Sequence, residues 1–188
     1  MKKKLVAVVA GVLAAAIALS GCSSDASSDA SGGGTTKIKL ATGGTSGTYY
    51  AYGGVIAQAV TDATGISFDV QSTGASKANI GLIADGEVDM AIVQNDVMDY
   101  AYNGTDLFEG EKTENFQAMA AMYAEVCQVV ANPDAGIETI ADLKGKRVSV
   151  GDAGSGVEFN AKQILEAYGV TFDDIEVQNL SFGDSANA

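Results

Sequence analysis

Histidine and tryptophan are absent from this 188-residue sequence, and proline occurs only once, at position 133. Without histidine, neither a Ser-His-Asp nor a Cys-His catalytic arrangement can form, and histidine-ligated metal sites are excluded as well. A Ser-Lys pair or a pair of carboxylates remains open, but nothing in the sequence places one. The composition therefore argues against an enzyme, and we expect neither a cofactor nor a metal ion.

Cysteine is nearly as scarce, since only Cys22 and Cys127 are present. Cys22 follows three lysines, an apolar run over residues 5–19 and two small residues, which is the pattern of a bacterial lipoprotein signal. The apolar run is too short and wrongly flanked for a membrane-spanning helix. We therefore predict that residues 1–21 are a signal peptide and that Cys22 is acylated, so that no disulfide forms.

Basic side chains are few as well: 11 lysines and arginines stand against 24 acidic residues, and the formal net charge is −13. Removal of residues 1–21 takes away three lysines and no acid, which leaves 8 basic residues and a net charge of −16. This balance argues strongly against nucleic acid as a partner. It does not fix the charge of a ligand, because salt screens surface charges over about 8–10 Å.

The part of the chain that folds begins after a polar segment. Residues 22–36 are small and polar, and we predict a flexible tether there because such a segment buries too little apolar surface to fold. About 150 residues remain, which is enough for one domain or two small lobes. We predict a first lobe over residues 37–124 and an incomplete second lobe over residues 125–188.

The first strand-loop-helix unit spans residues 40–60. Residues 37–40 alternate between polar and apolar side chains, as in a half-buried strand, and a loop rich in Gly, Thr and Ser follows. Apolar side chains then recur at helical spacing, at Tyr52, Val55, Ile56 and Ala59. The N-terminus of such a helix suits a carboxylate or phosphate, although a tight turn that binds nothing remains the alternative.

Two more strands and helices follow in the same order, which predicts a parallel sheet with ligands outside the carboxyl ends of its strands. Residues 88–93 are almost continuously apolar, as expected of a central strand covered on both faces. We predict a further strand over residues 126–131. Cys127 lies within it and is expected to be a small buried side chain.

A second unit repeats the first. A strand over residues 148–150 leads into a Gly- and Ser-containing loop, and a helix begins near Val157. Ser155-Gly156 occupies the place that Ser46-Gly47 holds in the first unit. Two matched loops separated by the break around Pro133 indicate two lobes that share one cleft.

Several segments in this order resemble the TAXI-type solute receptors, which are the extracytoplasmic binding subunits of TRAP transporters. The segments are ATGGTSGTYY at 41–50, TGAS at 73–76, GEVDMAIVQND at 86–96, MYAEV at 122–126 and LKGKRVSVG at 143–151, followed by GSG at 154–156. The resemblance implies a two-lobed α/β fold with parallel sheets, like that of the type II periplasmic binding proteins, with the C-terminal part missing.

The resemblance also implies a function. Such a receptor captures a small organic acid or amino acid such as glutamate between its lobes and delivers it to an ion-coupled membrane permease. We expect a monomer that a lipid anchors to the outer face of the cell membrane, or a periplasmic protein. A receptor of an ATP-driven importer and a ligand-presenting sensor subunit of a membrane kinase are the alternatives.

Ligand contacts follow from the resemblance position by position. In the first lobe they are Thr45, Ser46, Thr48, Tyr49 and Gln94, and near the crossing into the second lobe Tyr123 joins them. The second lobe contributes Ser155, Gly156 and Glu158. A carboxylate at Glu158 either favours an amino or hydroxyl group on the ligand or stabilises the first turn of its own helix.

Overall fold

The computed structural model describes residues 37–188. The predicted signal peptide, the acylation of Cys22 and the predicted tether all fall on residues 1–36, outside the described part. Within residues 37–188, no helix is long and apolar enough to cross a bilayer. The single described cysteine, Cys127, is not in a disulfide.

The first sheet contains three parallel strands, which are β1 (Ile38–Ala41), β2 (Phe68–Gln71) and β3 (Met90–Ala91). Their order is β2-β1-β3, so β1 is the central strand. Leu40, in β1, is opposite Val70 on one side and opposite Met90 on the other. The expected parallel arrangement is confirmed.

α1 (Thr48–Thr64) connects β1 to β2, α2 (Ser76–Ala84) connects β2 to β3, and α3 (Asn95–Asn103) follows β3 and packs against α2. α1 passes very close to the sheet at Gly53, where a Cβ atom would be 2.6 Å from Cγ2 of the buried Thr42. α1 ends at Gly65, whose left-handed backbone (φ 76°) stops the helix.

The second sheet is smaller, with β4 (Arg147–Ser149) parallel to β5 (Glu176–Gln178). Helix α4 (Gly156–Ala167) connects the two strands, and α5 (Phe182–Asn187) follows β5. Short 3-10 turns lie at Asp106–Phe108, Pro133–Ala135, Ile140–Leu143 and Phe172–Asp174. The core of this part consists of buried apolar side chains: Leu143, Val150, Leu165, Val170 and Ile175.

The α/β class and the two parallel sheets expected of a periplasmic-binding-protein-like fold are therefore observed. One sheet lies within residues 37–124 and the other within residues 125–188. The exact boundary between the lobes stays a prediction, because the described residues belong to one compact unit.

The prediction of a central strand over residues 88–93 is wrong. Only Met90–Ala91 form β3, and among the described strands β3 pairs with β1 alone, so it lies at an edge. The Asn79 amide donates to the Ile92 carbonyl at 2.8 Å, which ties that carbonyl to α2 instead of to a further strand. On the other side, the Ile92 N–H still donates to the Ala41 carbonyl at 3.0 Å, so β3 stays paired with β1 alone.

The predicted strand over residues 126–131 is also wrong, as is the predicted burial of Cys127. No strand forms there, and Cys127 is exposed together with Val126 (76%) and Val130 (87%). A strand requires a neighbour to pair its N–H and C=O groups. Neither of the two sheets formed by residues 37–188 extends to this segment, so its apolar pattern has no partner there.

Candidate functional site

A cleft of about 270 Å³ lies between the loops that follow the strands of the two sheets. We call it the interlobe cleft. It is lined by residues 43, 44 and 46–49, residues 75 and 76, Gln94, residues 123–126, residues 151, 152 and 155–157, and residues 180 and 182. The segments after β1, β3 and β4 all contribute, so the cleft lies at the carboxyl ends of the strands, as expected for open parallel sheets.

The N-termini of four helices converge on this cleft. The N-cap residues of α1, α2, α3 and α4 all line it, and they are Gly47, Ala75, Gln94 and Ser155. Of these four N-cap residues, only Ser155 of α4 accepts through its side chain a hydrogen bond from its own helix. α1 and α2 have neither a side-chain cap nor an acidic residue in the first turn. Their first N–H groups and positive dipole ends therefore remain available to an anionic group.

Ala75, at the start of α2, has an unusual backbone. Its dihedrals are φ 66° and ψ −145°, a region that residues with a Cβ rarely adopt. The surroundings hold it there: its N–H donates to Thr73 Oγ1 at 3.1 Å, and its carbonyl accepts from the Asn79 N–H at 2.8 Å. Such strain costs on the order of 1–3 kcal/mol and is concentrated at binding and active sites in proteins.

Two tyrosines and a glutamate form one side of the cleft. Tyr49 donates to Glu125 Oε2 at 3.0 Å, and Tyr123 donates to Glu125 Oε1 at 3.3 Å. Burial, together with the nearby Glu125 carboxylate, raises the pKa of Tyr49 far above its usual range. The same two causes raise the pKa of Tyr123 to about 12. Both phenols therefore stay protonated near neutral pH and act as donors.

A polar chain joins the two lobes beside the cleft. Gln94 Nε2 donates to Asn160 Oδ1 at 2.6 Å, and Asn160 Nδ2 donates to Asp96 Oδ2 at 3.0 Å. The Gln94 amide lies directly against Gly156, where a side chain would overlap it. The lack of a Cβ at Gly156 is thus what lets lobe 1 reach the N-terminus of α4.

The comparisons with known proteins bear on this architecture. A family model described as the NMT1-like family matches residues 40–188, nearly all of the described chain. The chain belongs to the NMT1-like family. This membership agrees with the expected general class, the solute-binding proteins, and the narrower TAXI assignment stays a prediction.

The solved structures that are similar include the alkanesulfonate-binding protein SsuA from Xanthomonas axonopodis pv. citri bound to MOPS. The two sequences are 17% identical and the TM-score is 0.48. The match covers 81% of this NMT1-like chain and 50% of the SsuA chain, so this chain spans about half the length of that protein.

Most ligand contacts expected from the sequence of this NMT1-like chain lie together in the cleft. The residues that line it are Ser46, Thr48, Tyr49, Gln94, Tyr123, Ser155 and Gly156. Thr45 is exposed and lies outside the lining. Gln94 lines the cleft, but its side-chain amide is bound to Asn160 in the second lobe. Whether these residues bind a ligand stays a prediction.

Glu158 does not line the cleft. One carboxylate oxygen accepts from the Gly154 N–H and the other from Asn179 Nδ2, each at 2.7 Å. Its own N–H donates to Ser155 Oγ at 3.1 Å. Of the two roles that the sequence leaves open, the geometry favours stabilisation of the loop and the first turn of α4.

Sequence reasoning missed several residues of the cleft, among them Ser76, Glu125, Asp152 and Phe182. Glu125 lies within the MYAEV segment and Asp152 within the second loop, so their positions beside predicted contacts were a usable signal. Nothing local distinguishes Phe182. Among residues 37–188, no group of three or more Cys, Asp or Glu side chains is arranged to hold a metal ion.

Proposed function

We propose that this NMT1-like chain is an extracytoplasmic solute-binding protein that captures a small carboxylate in the interlobe cleft. The observation that carries the proposal is the convergence of four helix N-termini on one cleft. In particular, α1 and α2 leave their first N–H groups without a side-chain cap. Backbone N–H groups at such a position bind carboxylates and phosphates.

The chemistry of the wall suits a small ligand. Ser46 and Thr48 provide hydroxyl groups at the α1 end, and the rings of Tyr49 and Tyr123 provide apolar surface with a polar tip. The volume of about 270 Å³ is slightly below the range of about 300–1,000 Å³ that is typical of drug-sized ligands. An organic acid or amino acid of the size of glutamate is the class that we propose.

The proposed biological role is that of a TAXI-type receptor of a TRAP transporter, held by a lipid at Cys22 on the outer face of the membrane. The sequence segments quoted above support this narrower proposal, and so does the presence in the cleft of most of the ligand contacts expected from them. The lobes close on the ligand, and an ion-coupled permease recognises the closed form.

The test places a competing carboxylate at the proposed anion site. Thr48 is exposed, lines the cleft and is the first residue of α1, which has no acidic residue in its first turn. Thr48→Asp therefore favours the helix while it repels a ligand carboxylate. We expect the full chain with Thr48→Asp to lose at least tenfold in affinity for any carboxylate that stabilises the wild type in a thermal-shift screen.

The matched control is Thr105→Asp. Thr105 is also exposed and lies at the start of a helical segment, as the N-cap of the 3-10 turn Asp106–Phe108, but it does not line the cleft. This variant should bind as the wild type does. The proposal is wrong if no carboxylate or amino acid stabilises the wild type, or if Thr48→Asp and Thr105→Asp weaken binding equally.

A further inference from the structure

We infer that Glu125 selects ligands that carry an ammonium group, so that the cleft takes amino acids in preference to organic acids that lack one. This inference rests on the proposed function, because it specifies the ligand of the same cleft. It assigns a role to a residue that the sequence motifs did not single out as a contact.

The charges of the cleft wall are of one sign. Glu125 and Asp152 are the acidic side chains in it, and no lysine or arginine is among the residues that line it. The salt bridges formed by residues 37–188 are on the surface and involve neither of these carboxylates. A cleft in which helix N-termini attract an anion therefore also contains carboxylates without a protein counter-ion.

Glu125 retains the capacity to bind a cation. Each of its oxygens accepts one hydrogen bond from a phenol, at 3.0 Å from Tyr49 and 3.3 Å from Tyr123. A carboxylate accepts up to about four hydrogen bonds, so positions remain open on both oxygens. The two phenols are neutral, because the pKa of each is raised, and they orient the carboxylate without compensating its charge.

The positions of the two attractive features match the shape of an amino acid. Tyr49 belongs to the first turn of α1, and its hydroxyl group holds Glu125 within one side-chain length of the α1 N-terminus. A ligand carboxylate at the helix N-termini thus brings a neighbouring ammonium group towards Glu125. Glu158 is not placed for this role, because it does not line the cleft.

Asp152 is the competing candidate for the cation. It is half-buried, and its Oδ2 would be 3.7 Å from a Cβ placed on Gly44. It lies on the lobe 2 side of the cleft and has no tyrosine that orients it. We therefore assign the direct contact to Glu125 and only a weaker, longer-range attraction to Asp152.

The experiment compares matched ligand pairs by calorimetry on the full chain. Each L-amino acid is titrated beside the carboxylic acid that lacks only its amino group, beginning with L-glutamate and glutarate. We expect the amino acid to bind the wild type at least tenfold more tightly, which is the order of a charge-assisted hydrogen bond. This comparison needs no variant and so does not depend on the folding of one.

Variants then locate the effect. Glu125→Gln keeps the shape; its amide oxygen can accept from one tyrosine, and its amide nitrogen can donate to the hydroxyl oxygen of the other. We expect it to weaken binding of the amino acid by about tenfold or more. Binding of the matching acid should change less than about twofold. Glu111→Gln removes the same charge from an exposed position outside the cleft and should change neither affinity.

Each outcome has a separate meaning. If the wild type binds neither set of ligands, the proposed carboxylate capture itself fails. If acids and amino acids bind equally well, carboxylate capture stands and the selection of an ammonium group is overturned. If Asp152→Asn removes the preference and Glu125→Gln does not, or if Glu125→Gln weakens both ligands equally, the assignment to Glu125 is overturned.

Discussion

The two strand-loop-helix units of this protein have nearly the same local sequence pattern but different helix starts. In the first unit α1 begins at Thr48, and its N-cap is Gly47, which has no side chain to offer. In the second unit α4 begins at Gly156, and its N-cap is Ser155, whose hydroxyl accepts from the Glu158 N–H at 3.1 Å. When Ser46-Gly47 is aligned with Ser155-Gly156, the second helix begins one residue earlier.

This offset of one residue changes what the serine does. The Ser155 hydroxyl accepts a hydrogen bond from an N–H group in the first turn of its own helix, α4. Ser46 Oγ instead accepts from the Gly183 N–H of α5 at 3.0 Å, so α1 has no side-chain cap. The first N–H groups of α1 thus remain available to a ligand. In the second unit, Ser155 caps the Glu158 N–H, and Gly156 lies against the Gln94 side chain. Two copies of one pattern therefore differ in the state of the helix N-terminus, which has a side-chain cap in the second unit and none in the first.

The largest expected effect comes from the close packing of α1 in the first unit. Gly53→Ala would place a Cβ atom 2.6 Å from Thr42 Cγ2 and 3.3 Å from Val70 Cγ1. Thr42 cannot move away easily, because it is fully buried and its hydroxyl donates to the Gln71 carbonyl at 2.7 Å. We expect the free energy of unfolding in urea to fall by about 1–3 kcal/mol.

The neighbouring glycine provides the control for this prediction. Gly54 is in the same helix, but a Cβ atom there would meet nothing within 4 Å. Gly54→Ala should therefore raise the free energy of unfolding by about 0.5–1 kcal/mol. Equal effects of the two substitutions would contradict the close approach of α1 to the sheet.

A smaller effect is expected from the serines that distinguish the two units. Ser155→Ala removes the N-cap of α4, and such a loss costs about 0.5–2 kcal/mol of stability. Ser46→Ala removes no cap from α1 and affects an exposed contact with α5, so a change within about 0.5 kcal/mol is expected. Chemical unfolding of both variants measures the difference, and a larger loss for Ser46→Ala would reverse our comparison of the helix starts.

The smallest expected effect is the pH dependence of two capping boxes in the second lobe. Hydrogen bonds from the Thr139 hydroxyl and N–H groups lower the pKa of Asp142, and those from the Thr171 N–H and hydroxyl lower that of Asp174. The pKa values of both carboxyl groups in the folded protein are therefore below the unfolded-state pKa of about 3.9. The stabilisation that these hydrogen bonds provide is fully present above the unfolded-state pKa, and it is lost as the pH falls through the folded-state pKa.

Melting temperatures between pH 6 and pH 2.5 test this prediction. The double variant Asp142→Asn, Asp174→Asn should lose less stability than the wild type as the pH falls below about 4. Asp173→Asn changes an exposed neighbouring carboxylate outside the capping box and should follow the wild-type profile. If the melting temperatures of the wild type and the double variant fall equally as the pH is lowered, the carboxylates of the capping boxes contribute nothing to stability.

Much of the local structure could be predicted from the sequence. The order of strands, loops and helices in both units follows from hydrophobic period and loop composition, and the structure confirms the parallel sheets. The apolar pattern of residues 126–131 was misleading. Such a pattern shows that a segment suits a strand conformation, but it does not show that a neighbouring strand is there to pair with it. Exposure of Cys127 follows from that missing neighbour.

By itself, the sequence determined the class of the fold, the two small-residue loops and the absence of histidine chemistry. These properties depend on composition and on residues a few positions apart. Tertiary structure alone decided that Tyr49 meets Glu125 across 76 positions and that Gln94 meets Asn160 across 66. Such contacts depend on the path of the whole chain, and a one-residue shift in a helix start is enough to change which groups they leave for a ligand.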